Sequence, residues 1–357
     1  MFLELKTRMN HPNCSIFWLL ILAMLLPGNL MAEPQGLTLF TWDDYIDPGV
    51  IKAFEKKTGA KVKLVKFVTE DEREETMALT SGQGFDLVVV SGVYIAPYAR
   101  RGWLAELEPV RLENARYLDD RWRNAFEGAE RYAIPYFWGF LGIAYRRDKV
   151  PGKIDSWYQL YHPTPNLKGR ISMLNDAREV MGTALKALGH PLNSAKPDQI
   201  KAAGQLLLEQ KPYVMEYAGS DTSENTPLVT GKAWMALTYN GDATYLKDFN
   251  DNIAFTVPKE GTGIWADYLV VMKNSRHPEL AQAFLNHLMA PEMAAANARY
   301  NNFATPNTGV GTLLPPSYWN DPRIFPTDDI LAKSELFQRL SPSNERRRNL
   351  IFYKVAH

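Results

Sequence analysis

Cysteine is almost absent. Of 357 residues only Cys14 carries a thiol, and it precedes an apolar run, whereas a lipid-modified cysteine would follow one. Once that segment is removed on export, no disulfide, thiolate nucleophile or cysteine metal site is available. Such a chain is compatible with an oxidising compartment. Charge of one sign is missing as well. Lys and Arg number 40 against 40 Asp and Glu, which argues against nucleic acid or an anionic membrane surface as partner. There is no G-x-S-x-G elbow, no H-E-x-x-H, no phosphate-binding Walker sequence and no complete G-x-G-x-x-G. His162, His190, His277 and His287 stand singly, without ligand spacing, so neither metal nor cofactor is expected. Internal repeats and low-complexity tracts are also lacking.

The length suits two domains better than one. At the N-terminus, Lys6, Arg8 and His11 precede the apolar run IFWLLILAMLLPG (16–28), and small Ala32 closes the segment. The run is short for a membrane span and suits a secretory signal, so residues 1–32 are expected to be a signal peptide cleaved after Ala32. An uncleaved anchor is the alternative. The remaining chain would carry 38 basic and 39 acidic residues.

Strand and helix then alternate. GLTLFTW (36–42) and KVKLVKFV (61–68) are β-rich, and Pro48 opens a helix closed by Gly59. An acid-rich helix from Glu70 to about Leu79 leads to FDLVVV (85–90), the continuous apolar run of a strand buried on both faces. GRISML (169–174), AWMALTY (233–239), NIAFTV (252–257) and YLVVM (268–272) read as further strands, with helices over 177–189, 197–210 and 279–289. The tail from Thr312 reads as Pro-rich and irregular, then charged. Strands separated by helices imply βαβ units and parallel pairing, hence an α/β fold.

Polar and aromatic clusters fall where these strands end: WDDY after 36–41, SGVY after 85–90, NDARE after 169–174 and YNGD after 233–238. Ligands of open α/β sheets bind outside the carboxyl ends of strands. Together the clusters offer Asp43, Asp44, Asp176, Glu179, Asp242 and Asp267, with Trp42, Tyr45, Tyr94, Tyr239 and Trp265. Carboxylates beside aromatic walls are costly unless a cation meets them. An alkylammonium fits: its charged ends pair with acids and its methylenes pack on rings, with cation–π attraction of roughly 0.5–2 kcal/mol per contact.

Structural readings stand beside these. Trp42 can cap the sheet from the core. Asp43 or Asp44 can cap the helix after Tyr45, with Asp43 favoured for cap or solvent and Asp44 for ligand. Asp176 and Glu179 fit a capping box, Asn240-Gly241-Asp242 fits a turn, and Arg178 is a ready partner for the acids. Asp267, interrupting an apolar strand approach, has the weakest structural explanation. Paired carboxylates also suit glycoside hydrolysis, so a periplasmic carboxylate-pair hydrolase is the rival from another class.

The segments FTWDDYIDPGVIKAFEKKTGAKV (40–62), FDLVVVSGVYIAPYARRGWL (85–104), AIPYFWGFLGIAYRRDKV (133–150), NDAREVMGTALKALG (175–189), TYNGDATYL (238–246) and IWADYLVV (264–271) resemble the periplasmic spermidine/putrescine-binding proteins, in order from about Gly36 to Pro306. The resemblance implies a two-lobed periplasmic-binding-protein fold of type II, with mixed and parallel sheets flanked by helices and ligand in the interlobe cleft. The first lobe would comprise 33–140 and 266–312, the second 141–265 and 313–357, with hinges near 136–144 and at Trp265. By position, Trp42, Asp44, Tyr45 and Ser91 would line the first lobe, and Asp176 and Glu179 would hold an ammonium from the second. Tyr239 and Trp265 would be ring walls, Asp242 and Asp267 further carboxylates, and Gln338 a C-terminal polar contact. Val93, Tyr239 and Asp43 depart from the usual residues there, which points to a shorter or differently protonated polyamine.

The implied role is that of a non-enzymatic, monomeric periplasmic receptor that delivers a polyamine to the permease of an ABC importer. The tail SNERRRNLIFYKVAH (343–357), unlike that of importer receptors, keeps a second role open: a polyamine-sensing subunit regulating a membrane cyclic-di-GMP enzyme.

Overall fold

A computed structural model describes residues 36–357, so the expected signal peptide and Cys14 lie outside the described residues. Ten strands appear in chain order: β1 (Gly36–Trp42), β2 (Lys61–Phe67), β3 (Leu87–Ser91), β4 (Ala133–Arg146), β5 (Ile171–Leu174), β6 (Val214–Ala218), β7 (Met235–Tyr239), β8 (Ile253–Thr256), β9 (Gly263–Val271) and β10 (Glu335–Leu336). Their order is β2-β1-β3-β9-β4-β7-β5-β6, with β8 on β4 and β10 on β9.

β1 pairs in parallel with both β2 and β3, as strands joined by helices must. The Pro48–Thr58 helix between β1 and β2 starts at N-cap Asp47, whose carboxylate accepts from Gly49 N, and stops at Gly59 with φ 74°. The capping role considered for Asp43 and Asp44 therefore falls to Asp47, three residues on, because Pro48 fixes where the helix begins. β3 is buried along its whole length, as its Val run requires.

β4 is the spine. Its 14 residues are almost all buried. Residues from Ala133 to Phe140 pair antiparallel with β9, and from Leu141 onward the strand pairs with β7 and β8. One strand thus passes from one half of the sheet into the other. β5 completes the second half in parallel with β6 and β7.

Several elements differ from the sequence reading. β9 begins five residues before the expected 268, at Gly263. Asn240-Gly241-Asp242 is the first turn of the Asn240–Phe249 helix, not a free turn. The tail expected to be irregular ends in a helix, Pro342–Ala356, docked against the Ala177–Ala187 and Pro197–Gln210 helices. Its buried Arg348 donates to the carbonyls of Leu192 and Ser194, so a charged sequence hides a structural anchor.

Candidate functional site

Strand ends build a cavity of about 740 Å³. The carboxyl ends of β1, β3, β5 and β7 deliver Trp42, Ser91, Asn175 and Tyr239 to it, while β9 crosses beneath and contributes Trp265 and Asp267. Register explains the juxtaposition. Asp267 lies opposite Ser91 of β3 on one side and Phe137 of β4 on the other. Trp265 and Asp267 are two apart on one strand and so share a face.

Asp267 is buried at the floor. Its Oδ2 accepts from Trp42 Nε1 at 3.0 Å and from Tyr45 OH at 3.0 Å. Burial, with Glu70 nearby, pushes its carboxyl up to about 6, although Arg73 and the two donors pull the other way. Asp242 opens the second side. Burial pushes it up to about 6 as well, and its partner is the Ser220 hydroxyl.

Asp176 caps the Ala177–Ala187 helix, accepting from Glu179 N at 2.9 Å. The reciprocal half of the expected capping box does not form. The Glu179 carboxylate turns toward the cavity instead and accepts from Tyr239 OH at 2.8 Å. Burial, reinforced by Asp176, holds Glu179 well above the usual carboxylate range. Burial raises Asp176 too, against the pull of Arg178.

Aromatic rings form the wall. Trp265 meets Phe303 edge-on at 4.9 Å and Tyr239 edge-on at 6.0 Å. Two glycines permit this approach. A Cβ at Gly139 would stand 2.5 Å from Trp265 Cζ2, and one at Gly241 would collide with the Phe303 ring.

Of the residues singled out in the sequence, Trp42, Asp44, Tyr45, Ser91, Asp176, Glu179, Tyr239, Asp242, Trp265 and Asp267 all line this cavity. Asp44 does so from the exposed rim, with φ 47° and its N–H bonded to Asp43. Asp43 itself pairs with Lys66. Gln338 is not brought there. Phe337, just past β10, is buried in the core, the next side chain is exposed, and Gln338 N donates to Asn193 Oδ1.

Sequence reasoning missed Glu70, Phe303, Tyr300 and the 219–224 loop. Glu70 sits in the first turn of the Glu70–Thr80 helix, where an acid ordinarily serves the helix dipole. Here its Oε2 lies 2.6 Å from Arg178 Nη2, joining the two halves of the sheet. Although burial opposes it, Arg178 and Arg73 hold Glu70 below the usual range. No periodicity marked Phe303, which follows the Pro291–Asn301 helix.

Among the described residues, the ion pairs around the cavity are Glu70 with Arg178 and Arg73, Glu74 with Arg73, and Asp43 with Lys66. Asp176, Glu179, Asp242 and Asp267 have none. No three His, Cys, Asp or Glu side chains among the described residues converge as a metal ion would require. Nor is any described helix long and apolar enough to cross a membrane.

A chain with this fold and cleft has known relatives. Residues 49–327 match the family model of the bacterial extracellular solute-binding proteins. The chain belongs to that family. This solute-binding protein is 31% identical over 328 residues to a norspermidine sensor of Vibrio cholerae, covering 91% of this chain and 90% of the other. It is 30% identical over 305 residues to the spermidine/putrescine-binding periplasmic protein of Escherichia coli, covering 85% and 86%. Among solved structures it superimposes with a TM-score of 0.82, at 34% identity, on a protein of Listeria monocytogenes assigned as a spermidine/putrescine ABC transporter, covering 90% and 98%. The two-lobed solute-binding fold, with its cleft between sheet halves, is therefore the fold of this chain.

Proposed function

We propose that this protein is an exported, non-enzymatic receptor for a linear polyamine, bound in the cleft through Asp267 and the Asp176, Glu179 and Asp242 group. One observation carries the reading: buried and half-buried carboxylates that form no ion pair, Glu179 and Asp267 among them, stand against Trp42, Tyr45, Tyr239 and Trp265. Such groups wait for an organic cation, because each bears a desolvation cost that an ammonium would offset. The names of the relatives support the same ligand class.

Binding would proceed by closure. We assign 36–140 and 266–312 to one lobe and 141–265 and 313–357 to the other, with β4 and β9 as the crossing strands. A ligand that touches Asp267 from one side and Glu179 from the other favours the closed arrangement by its differential contacts. In this reading the closed form is recognised by the membrane permease of an ABC importer in the periplasm. The relationship to a norspermidine sensor supports a second role on the same fold, in which a membrane signalling protein reads the closed form.

Quenching of tryptophan fluorescence tests the ligand class, since Trp42 and Trp265 line the cleft. Putrescine, cadaverine, norspermidine and spermidine should quench saturably, and a neutral sugar should not. A carboxylate-pair hydrolase would instead turn over a glycoside, and Asp176→Asn would then abolish turnover while sparing binding. Capture of solubilised membrane proteins on the amine-loaded protein separates the two roles: a transporter permease means import, and a membrane cyclase or phosphodiesterase means sensing.

A further inference from the structure

The cavity is acidic with one exception. Among the described residues lining it, Arg178 is the one Lys or Arg. It follows N-cap Asp176 by two positions, inside the first turn of the Ala177–Ala187 helix. The free N–H groups of that turn disfavour a positive charge. Carboxylates hold it there nonetheless. Glu70 pairs with it at 2.6 Å, and Asp176 and Glu179 add to the negative field. Its guanidinium also lies over the Phe337 ring, 5.5 Å from the centroid. A carboxylate on one side and a ring on the other is the setting an alkylammonium would occupy. The buried Nε has no hydrogen-bond partner, so the group is not held by a full set of protein bonds. Arg73 differs. It approaches Glu70 at 3.6 Å but is wholly buried over the Tyr94 ring and lies outside the cavity.

We propose that Arg178 is a specificity-determining residue: a guanidinium that fills one cation subsite of the cleft, takes up Glu70, and so limits how many positive charges the ligand carries. The proposal rests on the polyamine reading and deepens it. A diamine or triamine has Asp267 at one end and Glu179 with Asp242 at the other. A tetraamine brings a further ammonium toward a place already filled, and like-charge contact opposes it. Without the guanidinium, Glu70 Oε2 becomes an acceptor for that ammonium, while Oε1 keeps Arg73 at 3.6 Å.

Calorimetric titrations with putrescine and spermine read this directly as a ratio of affinities. Arg178→Met keeps an apolar stem over Phe337 and should shift the ratio toward spermine by about tenfold or more, the scale of one charged hydrogen bond. Arg178→Lys keeps the charge and should keep the wild-type ratio. Glu70→Gln leaves the guanidinium uncompensated and should move the ratio away from spermine. Lys66→Met removes an equal charge at the half-exposed rim, where Lys66 pairs with Asp43, and solvent screening should leave the ratio within about threefold of wild type.

An unchanged ratio in Arg178→Met, with both amines weakened alike, would assign the bridge to holding the halves together and overturn the proposal. An equal shift in Lys66→Met would overturn it too, by assigning the effect to net charge. If Arg178→Met does not fold by circular dichroism, Glu70→Gln and Arg178→Lys decide the ratio test. A wild type that binds amines with these ratios unmoved removes this proposal alone. A folded wild type that binds no amine removes the polyamine reading as well.

Discussion

Replacing Asp267 by Asn should stabilise the ligand-free protein and abolish tight amine binding at once. The carboxyl is pushed from 3.8 up to about 6, chiefly by burial. Its folded-state value lies above the unfolded one, so its contribution to stability is complete below pH 4 and is lost as pH rises through 6. That rise corresponds to about 3 kcal/mol at neutral pH. Asn has nearly the same shape, still accepts from Trp42 and Tyr45, and carries no charge. At pH 7.5 the variant should therefore gain up to about 3 kcal/mol, or roughly 5 °C in melting temperature for a chain of this size. At pH 4 the gain should vanish. Amine affinity should move in the opposite direction, because removing one partner of a buried ion pair costs about 3–5 kcal/mol, a loss of roughly two to four orders of magnitude. Melting curves at both pH values, with amine titrations at pH 7.5, measure the two effects together. A variant that melts lower than wild type at pH 7.5 and binds amines unchanged would show that Asp267 is a structural acceptor and refute the reasoning.

Other consequences follow from the same geometry. Amine affinity should weaken as pH falls through 6, by up to about tenfold per unit for each of Asp242 and Asp267, because both must ionise to meet a cation; an affinity unchanged at pH 5 would exclude them as ligand acids. Gly139→Ala should destabilise the fold by about 1–3 kcal/mol and weaken amine binding, since its Cβ enters the space of the Trp265 ring; chemical denaturation and titration report each effect. Gln338→Ala should leave amine affinity within about twofold of wild type, and a large loss would return Gln338 to the site.

Much of this was legible in the chain because two independent patterns coincide. The apolar run of 87–90 and the β-rich stretch 36–42 announce buried strands, and a polar and aromatic cluster follows directly after each. Asp267 stood out for the same reason, as a charge inside an apolar approach. What stayed hidden depends on tertiary placement. Glu70 carries the signature of an ordinary helix N-terminus, and only its meeting with Arg178, 108 positions away in the chain, gives it a place in the cleft. Phe303 carries no pattern, and its role follows from the missing Cβ of Gly241. The terminal helix was obscured because Arg348 buries a charge on backbone carbonyls, an arrangement composition cannot disclose. Gln338 shows the converse: similarity of sequence suggested a contact, but the side chain is exposed and does not line the cavity.

The most direct test of the central claim is calorimetric titration of the exported chain after unfolding and refolding to strip bound ligand. Putrescine, cadaverine, norspermidine, spermidine and a neutral sugar would be compared under one buffer. Saturable heat with an amine, none with the sugar, and loss of the amine signal in Asp267→Asn is the predicted result. A cooperatively melting sample that gives no heat with any amine would mean that the cleft acids serve the fold, and would contradict the assignment.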